Sequence, residues 1–226
     1  MVRTALLVAG GVLALASAAN ASIAFSFADP IPGRQVSNLS NGGGVGIGRL
    51  SYDTAVPITF LIDGVEEGLG TATFTNARLR VDLTLGAAIS IGGIVIAPVG
   101  GTFTIFDATS GLDIVTGSSN LGSFVRVTGT NSIQFSTADG FAYSAGPALQ
   151  SFLGPGLVLT ADQEAVFTLT DIVTASGAPF IGPGGVFRDF QANASFSGTS
   201  NVVPTPGATA LVGLAGLAAF RRRRGN

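Results

Sequence analysis

Residues 77–85 (ARLRVDLTL) set the strongest constraint on what this chain can become. Leu79, Val81, Leu83 and Leu85 alternate with Arg78, Arg80, Asp82 and Thr84. A period of two puts every apolar side chain on one face and every polar one on the other, as in a half-buried β-strand. A helix would scatter the same leucines around its circumference. Residues 101–107, 123–127, 132–136 and 165–173 read similarly and are rich in Phe, Ile, Val and Thr. Long amphipathic helical patterns are missing. Glycine, at 33 of 226 residues, is about twice its usual ~7% share.

Turn signals separate these runs. Asp63-Gly64 follows 58–62, and Asp139-Gly140 divides 133–136 from 141–144. Asp-Gly favours tight hairpin turns because both residues tolerate positive φ. Residues 87–97 (AAISIGGIVIA) are apolar apart from Ser90 and predict a central strand pair around Gly92-Gly93. Residues 144–156 (SAGPALQSFLGPG) predict one short helical turn between Pro147 and Pro155. About ten short strands at near-regular spacing predict an all-β fold, an antiparallel β-sandwich of jelly-roll or Greek-key type. There is no internal repeat that would suggest a propeller or solenoid.

Both ends carry targeting patterns. Residues 1–21 have one cation, Arg3, an apolar run over 5–16, and a closing Ala19-Asn20-Ala21. This is a secretory signal with an A-x-A cleavage pattern, so the mature chain is expected to begin at Ser22. The other end, 201–226, holds Pro204-Thr205-Pro206-Gly207, an apolar run over 208–220, and Arg221, Arg222, Arg223 and Arg224. Thirteen helical residues span only about 20 Å, whereas a bilayer core of about 30 Å needs roughly 20. A basic cluster resists translocation and stays on the cytoplasmic side. The domain expected between the two ends covers 22–200.

In its layout the tail resembles the PEP-CTERM signal of bacterial surface proteins: a Pro-Glu-Pro-type motif, a short hydrophobic helix, and a terminal basic cluster. Pro204, Thr205, Pro206 and Gly207 take the motif's place, with Thr205 where the family most often has Glu. The resemblance covers about a tenth of the chain. It implies processing by an exosortase-type membrane protease, transient anchoring through the C-terminal helix, and delivery to the cell surface or extracellular matrix. Many such proteins are linked to extracellular polysaccharide.

Composition excludes most catalytic chemistry. There is no Cys, His, Trp or Lys. Zinc, haem and iron–sulfur sites lose their usual ligands. A Ser-His-Asp triad, a Cys nucleophile, a P-loop and a Schiff base are all impossible. An exported chain without cysteine depends on packing rather than crosslinks. Between the targeting segments, six arginines face thirteen acidic residues, a net charge of −7. That balance argues against nucleic-acid binding. No cofactor and no metal site is expected.

The remaining candidates are modest. Residues 41–48 (NGGGVGIG) lack the G-x-G-x-x-G spacing and precede a strand-like run, so a flexible loop is expected. Residues 107–113 (DATSGLD) lack the alternating ligands and distant Glu of an EF-hand. They predict an Asp-capped hairpin turn, with a calcium site of another kind as the alternative. Two-carboxylate glycoside hydrolysis is chemically open, but the only glutamates are Glu66, Glu67 and Glu164, and no motif pairs them. Glu66 and Glu67 are expected in the solvated loop after Gly64. Asn193-Ala194-Ser195 forms a sequon, read as chance in a bacterial-type export context. The expected function is an exported surface or matrix protein with a non-catalytic β-domain, structural or binding. The alternatives are a carbohydrate-binding or adhesive module, calcium-assisted or not, and a secreted glycosidase using two carboxylates.

Overall fold

The computed structural model describes residues 21–28, 33–40 and 48–204. The expected signal segment up to Asn20 and the tail beyond Pro204 lie outside them. Among the described residues no helix is long and apolar enough to cross a membrane.

Thirteen strands make up the described chain: β1 (Ala21–Ala28), β2 (Val36–Ser40), β3 (Gly48–Tyr52), β4 (Ile58–Gly64), β5 (Gly70–Leu85), β6 (Ile89–Ile91), β7 (Ile94–Asp107), β8 (Asp113–Ser119), β9 (Phe124–Thr128), β10 (Ser132–Ser136), β11 (Phe141–Ala145), β12 (Leu157–Val173) and β13 (Phe190–Pro204). One helix, α1 (Pro147–Leu153), lies between β11 and β12, where a helical turn was expected. Pro147 opens it, since its fixed φ suits the first turn and its missing N–H costs nothing there.

Every strand pairing is antiparallel, and the ladder closes on itself. Three long strands make closure possible by serving two partners along one edge. β13 carries β12 on one side; on the other it carries β2 opposite Phe190–Ala192 and β1 opposite Ser195–Val202. β5 faces β7 on one edge and shares the other between β4 and β3. β7 divides its far edge between β9 and β8. The ring runs β13, β12, β10, β9, β7, β5, β3, β2 and back to β13. The all-β antiparallel expectation is borne out. The strands form one continuous network rather than two separate hydrogen-bonded sheets, because each of these long strands shares an edge between two partners.

The alternation in 77–85 is used as expected. Leu79, Leu83 and Leu85 are fully buried, whereas Arg80, Asp82 and Thr84 are exposed. Arg80 lays its guanidinium 4.4 Å from the Phe106 ring centroid on the outer face. Inside, Phe103, Phe135, Phe167 and Phe196 form the centre of the core. Phe103 and Phe167 stack with centroids 4.7 Å apart. Each such side chain contributes roughly 1.5–3 kcal/mol through burial, which matters in a chain without disulfides. The Tyr143 hydroxyl donates to the Phe135 carbonyl at 2.8 Å, so the polar end of this buried ring is satisfied.

Three local expectations are corrected. Gly64 is paired strand with φ −124°, and β4 reaches β5 through a short 3-10 turn, Val65–Glu67, with Gly68 left-handed at its end. Asp139-Gly140 makes no hairpin at all: β10 pairs with β9 and β12, while β11 crosses to β8. Asp139 is drawn inward to meet Arg126 instead. Residues 87–97 do form a strand pair, β6 with β7, turning on Gly92 and Gly93 at φ 58° and 86°. That pair is not central. β6 has β7 as its single partner, and Ile89, Ile91 and Ile94 are each about half exposed, at 52%, 59% and 51%. In addition, β13 continues through residue 200 to Pro204, so the boundary drawn at 200 falls within a strand.

Candidate functional site

Of the sequence-predicted processing residues, the described Ala21, Ser22 and Pro204 lie at one end of the β1–β13 ladder. Ala21 opens β1 opposite Val202, and Ser22 pairs with Asn201. Pro204 closes β13 opposite Leu157. The expected mature N-terminus and the first residue of the sorting motif thus leave from neighbouring strands. Antiparallel pairing imposes this, since a first and a last strand side by side begin and end together. Ala19, Thr205, Pro206, Gly207 and Arg221, Arg222, Arg223 and Arg224 lie outside the described residues.

The β4–β5 turn lies at the same end. The Ser22 backbone N–H donates to Glu67 Oε1 at 2.7 Å. Asp63 Oδ1 accepts from the Val65 N–H at 3.0 Å and starts the turn that carries Glu66 and Glu67. Both glutamates are in the exposed turn after Gly64, as expected. Sequence reasoning missed that Glu67 returns to β1, 45 residues away; no local signal encodes it.

A second candidate is an open groove of about 870 Å³ lined by residues of β10, β11, β12 and β13. Glu164, Ser197 and Thr199 line it together with Ser136 and Thr137. Register builds this array: Glu164 pairs with Thr199, Val166 with Ser197, and Ser136 with Val166. Along β13, Ser195, Ser197 and Thr199 alternate with the buried Ala194, Phe196 and Gly198. A neighbouring groove of about 490 Å³ shares Val166 and Ser197 and continues to Ser26 and Thr59. The result is a broad surface on which small hydroxyls alternate with apolar side chains such as Ala138, Ala142 and Val166. The alternation of β13 is visible in the sequence, but the strands that flank it are not.

Among the described residues lining this groove, Glu164 is the single acid. Two-carboxylate hydrolysis needs a partner about 5 to 9.5 Å away. Tyr143 also lines the groove, and burial pushes its phenol well above the ordinary tyrosine value. In the 107–113 loop the Asp107 carboxylate accepts from the N–H groups of Thr109 and Ser110 and from Ser110 Oγ, the last at 2.6 Å. The Ser110 hydroxyl first, and these N–H groups after it, hold its pKa below the ordinary value. This is the expected Asp-capped turn. Among the described residues no group of three or more acidic side chains converges as a metal site. Asn193 lies within β13 and donates its side-chain N–H to Asp171 at 3.0 Å, so the sequon nitrogen is engaged.

The chain matches no family model, no curated protein and no solved structure.

Proposed function

We propose that this is an exported cell-surface or extracellular-matrix protein whose closed β-domain acts without catalysis, as a structural or binding unit. Delivery runs through an N-terminal signal cut before Ser22 and a C-terminal PEP-CTERM-like tail read by an exosortase-type protease. The observation that carries this reading is the pairing of Ser22 with Asn201. It gives both tethers one point of departure, so a domain held at its two ends still projects as one body from the membrane. Proline disfavours helix in the residue that precedes it, so Pro204 to Gly207 are expected to stay extended, which leaves this backbone open to a protease. The short apolar run and the arginines hold the tail across and inside the membrane until cutting. Intact mass and C-terminal sequencing of protein recovered from surface and medium test this. A chain from Ser22 to the 204–207 region is expected. A chain that still ends at Asn226 and sediments with membranes overturns the processing step.

A second reading makes the domain a carbohydrate-binding or adhesive module, of jelly-roll or Greek-key kind. The groove that presents Ser136, Thr137, Glu164, Ser197 and Thr199 among apolar side chains supports it, because small donors and acceptors beside apolar patches suit hydrated polysaccharide. Retention on extracellular polysaccharide, with and without chelator, tests it. A Ser197→Tyr variant should abolish retention with little change in Tm, and unchanged retention removes the groove from the reading. The glycosidase alternative has the least support, since no second acid is found among the described residues lining the groove.

A further inference from the structure

Cleavage before Ser22 would do more than remove a signal. It creates a cation where the folded chain already holds an acceptor. Ser22 N lies 2.7 Å from Glu67 Oε1, on the side of β1 away from β13. Asp63 and Glu66 belong to the same turn. The ion pairs among the described residues are Arg49 with Asp82 and Arg126 with Asp139. The three carboxylates of this turn therefore have no cationic partner among them. On β13 the facing residues are Ser200, Asn201 and Val202, all uncharged, and β5 brings Gly70 and Thr71.

We infer that Glu67 is the docking carboxylate for the α-ammonium of a chain beginning at Ser22, so that signal removal completes an ion pair that locks β1 between β13 and β4. The inference rests on the export reading proposed above. In the cut, water adds across the bond between the Ala21 carbonyl carbon and Ser22 nitrogen. The carbonyl keeps the hydroxyl as a carboxyl group, and the freed amine takes up a proton. A single N–H donor becomes three, on the same atom and beside the same oxygen. Charge assistance shortens and strengthens such a bond relative to an amide's. Because Ala21 is already paired with Val202, the peptidase must act before β1 joins β13. Capture by Glu67 then follows cleavage and favours docking of the strand over detachment.

The test reads the α-amine directly. The exported protein is first sequenced from its N-terminus. If it begins elsewhere, the cut-site reading fails on its own, and a specific protease site placed immediately before Ser22 in the full chain supplies the same terminus. Acylation of the α-amine at neutral pH is then compared in wild type, Glu67→Gln and Glu66→Gln. An α-amine ordinarily titrates at about 7.7–8.0. Pairing raises that value, and half a unit slows acylation about threefold. Acylation several-fold slower in wild type than in Glu67→Gln is expected, with Glu66→Gln nearer wild type. The raised pKa also makes the pair's stabilisation complete below the ordinary value and lost as pH rises through the raised one. N-acetylated and free-amine proteins should therefore differ in Tm at pH 6 and converge near pH 10. Equal acylation in wild type and Glu67→Gln, or equal Tm of acetylated and free chains at pH 6, overturns the inference.

Discussion

Arg126 grips Asp139 with two prongs. Its Nε lies 2.7 and 2.9 Å from the two carboxylate oxygens, and Nη2 lies 2.7 Å from Oδ1. The Asp139 side chain is 1% exposed, whereas that of Arg126 is 43% exposed. The pair pins the crossover from β10 to β11 against β9.

This asymmetry predicts unequal single mutants. Arg126→Met strands a buried carboxylate, and an unsatisfied buried group costs about 1–3 kcal/mol. Asp139→Asn keeps a polar partner inside and leaves the guanidinium in solvent, so it should cost less. The double variant should lose less than the sum of the two. Denaturant titration of all four proteins checks this, and simple additivity would show that the two side chains act independently.

Gly117 exists for Phe103. A methyl group at Gly117 would run into the Phe103 ring, which is itself stacked on Phe167. Gly117→Ala should lower the denaturation midpoint, and adding Phe103→Leu should restore part of the loss. Phe103→Ala alone should cost about 3–5 kcal/mol. A Gly117→Ala protein as stable as wild type would mean that the ring has room to move.

Two surface aspartates predict a mild acid dependence. Asp107 is held low by Ser110, and Asp189 by the Ser40 hydroxyl and N–H. A depressed folded pKa stabilises above the unfolded value and fades as pH falls through the folded one. The loss should therefore set in below the ordinary value of 3.8. Both groups are solvent-facing, so the effect is small. In Tm measurements between pH 5 and 2, Asp107→Asn should start lower and fall less steeply than wild type. Parallel curves would exclude Asp107 from the acid response.

The β6–β7 hairpin should contribute little to fold stability. With Ile89, Ile91 and Ile94 half exposed, replacing all three by Thr should change the midpoint by about 0.5 kcal/mol per site at most. Self-association in sedimentation should fall, since exposed apolar edge strands favour pairing between chains. A large stability loss would show that these isoleucines are core.

How much was legible beforehand varies by element. The wet and dry faces of β5, the helical turn at Pro147 and the hairpin at Gly92-Gly93 were all readable, because each depends on side-chain period or on local backbone freedom. The Asp63-Gly64 and Asp139-Gly140 turns misled. Their local preference for a tight hairpin lost to a 3-10 turn in one case and to the buried contact with Arg126 in the other. β6 was misplaced for a similar reason: hydrophobicity says that a segment pairs, not what will cover it. The groove around Glu164 depends on the register between β10, β12 and β13, which no single strand carries.

The sequence by itself determined the all-β class, the alternation that sorts each strand's faces, and the absence of the side chains most catalysis requires. These follow from composition and from interactions within a few residues. Only the tertiary structure decided that the ladder closes, that β1 lies beside β13, and that Ser22 reaches Glu67. Those outcomes rest on backbone hydrogen bonds between distant segments. Such bonds are chemically alike for every strand, so global packing and register choose among them.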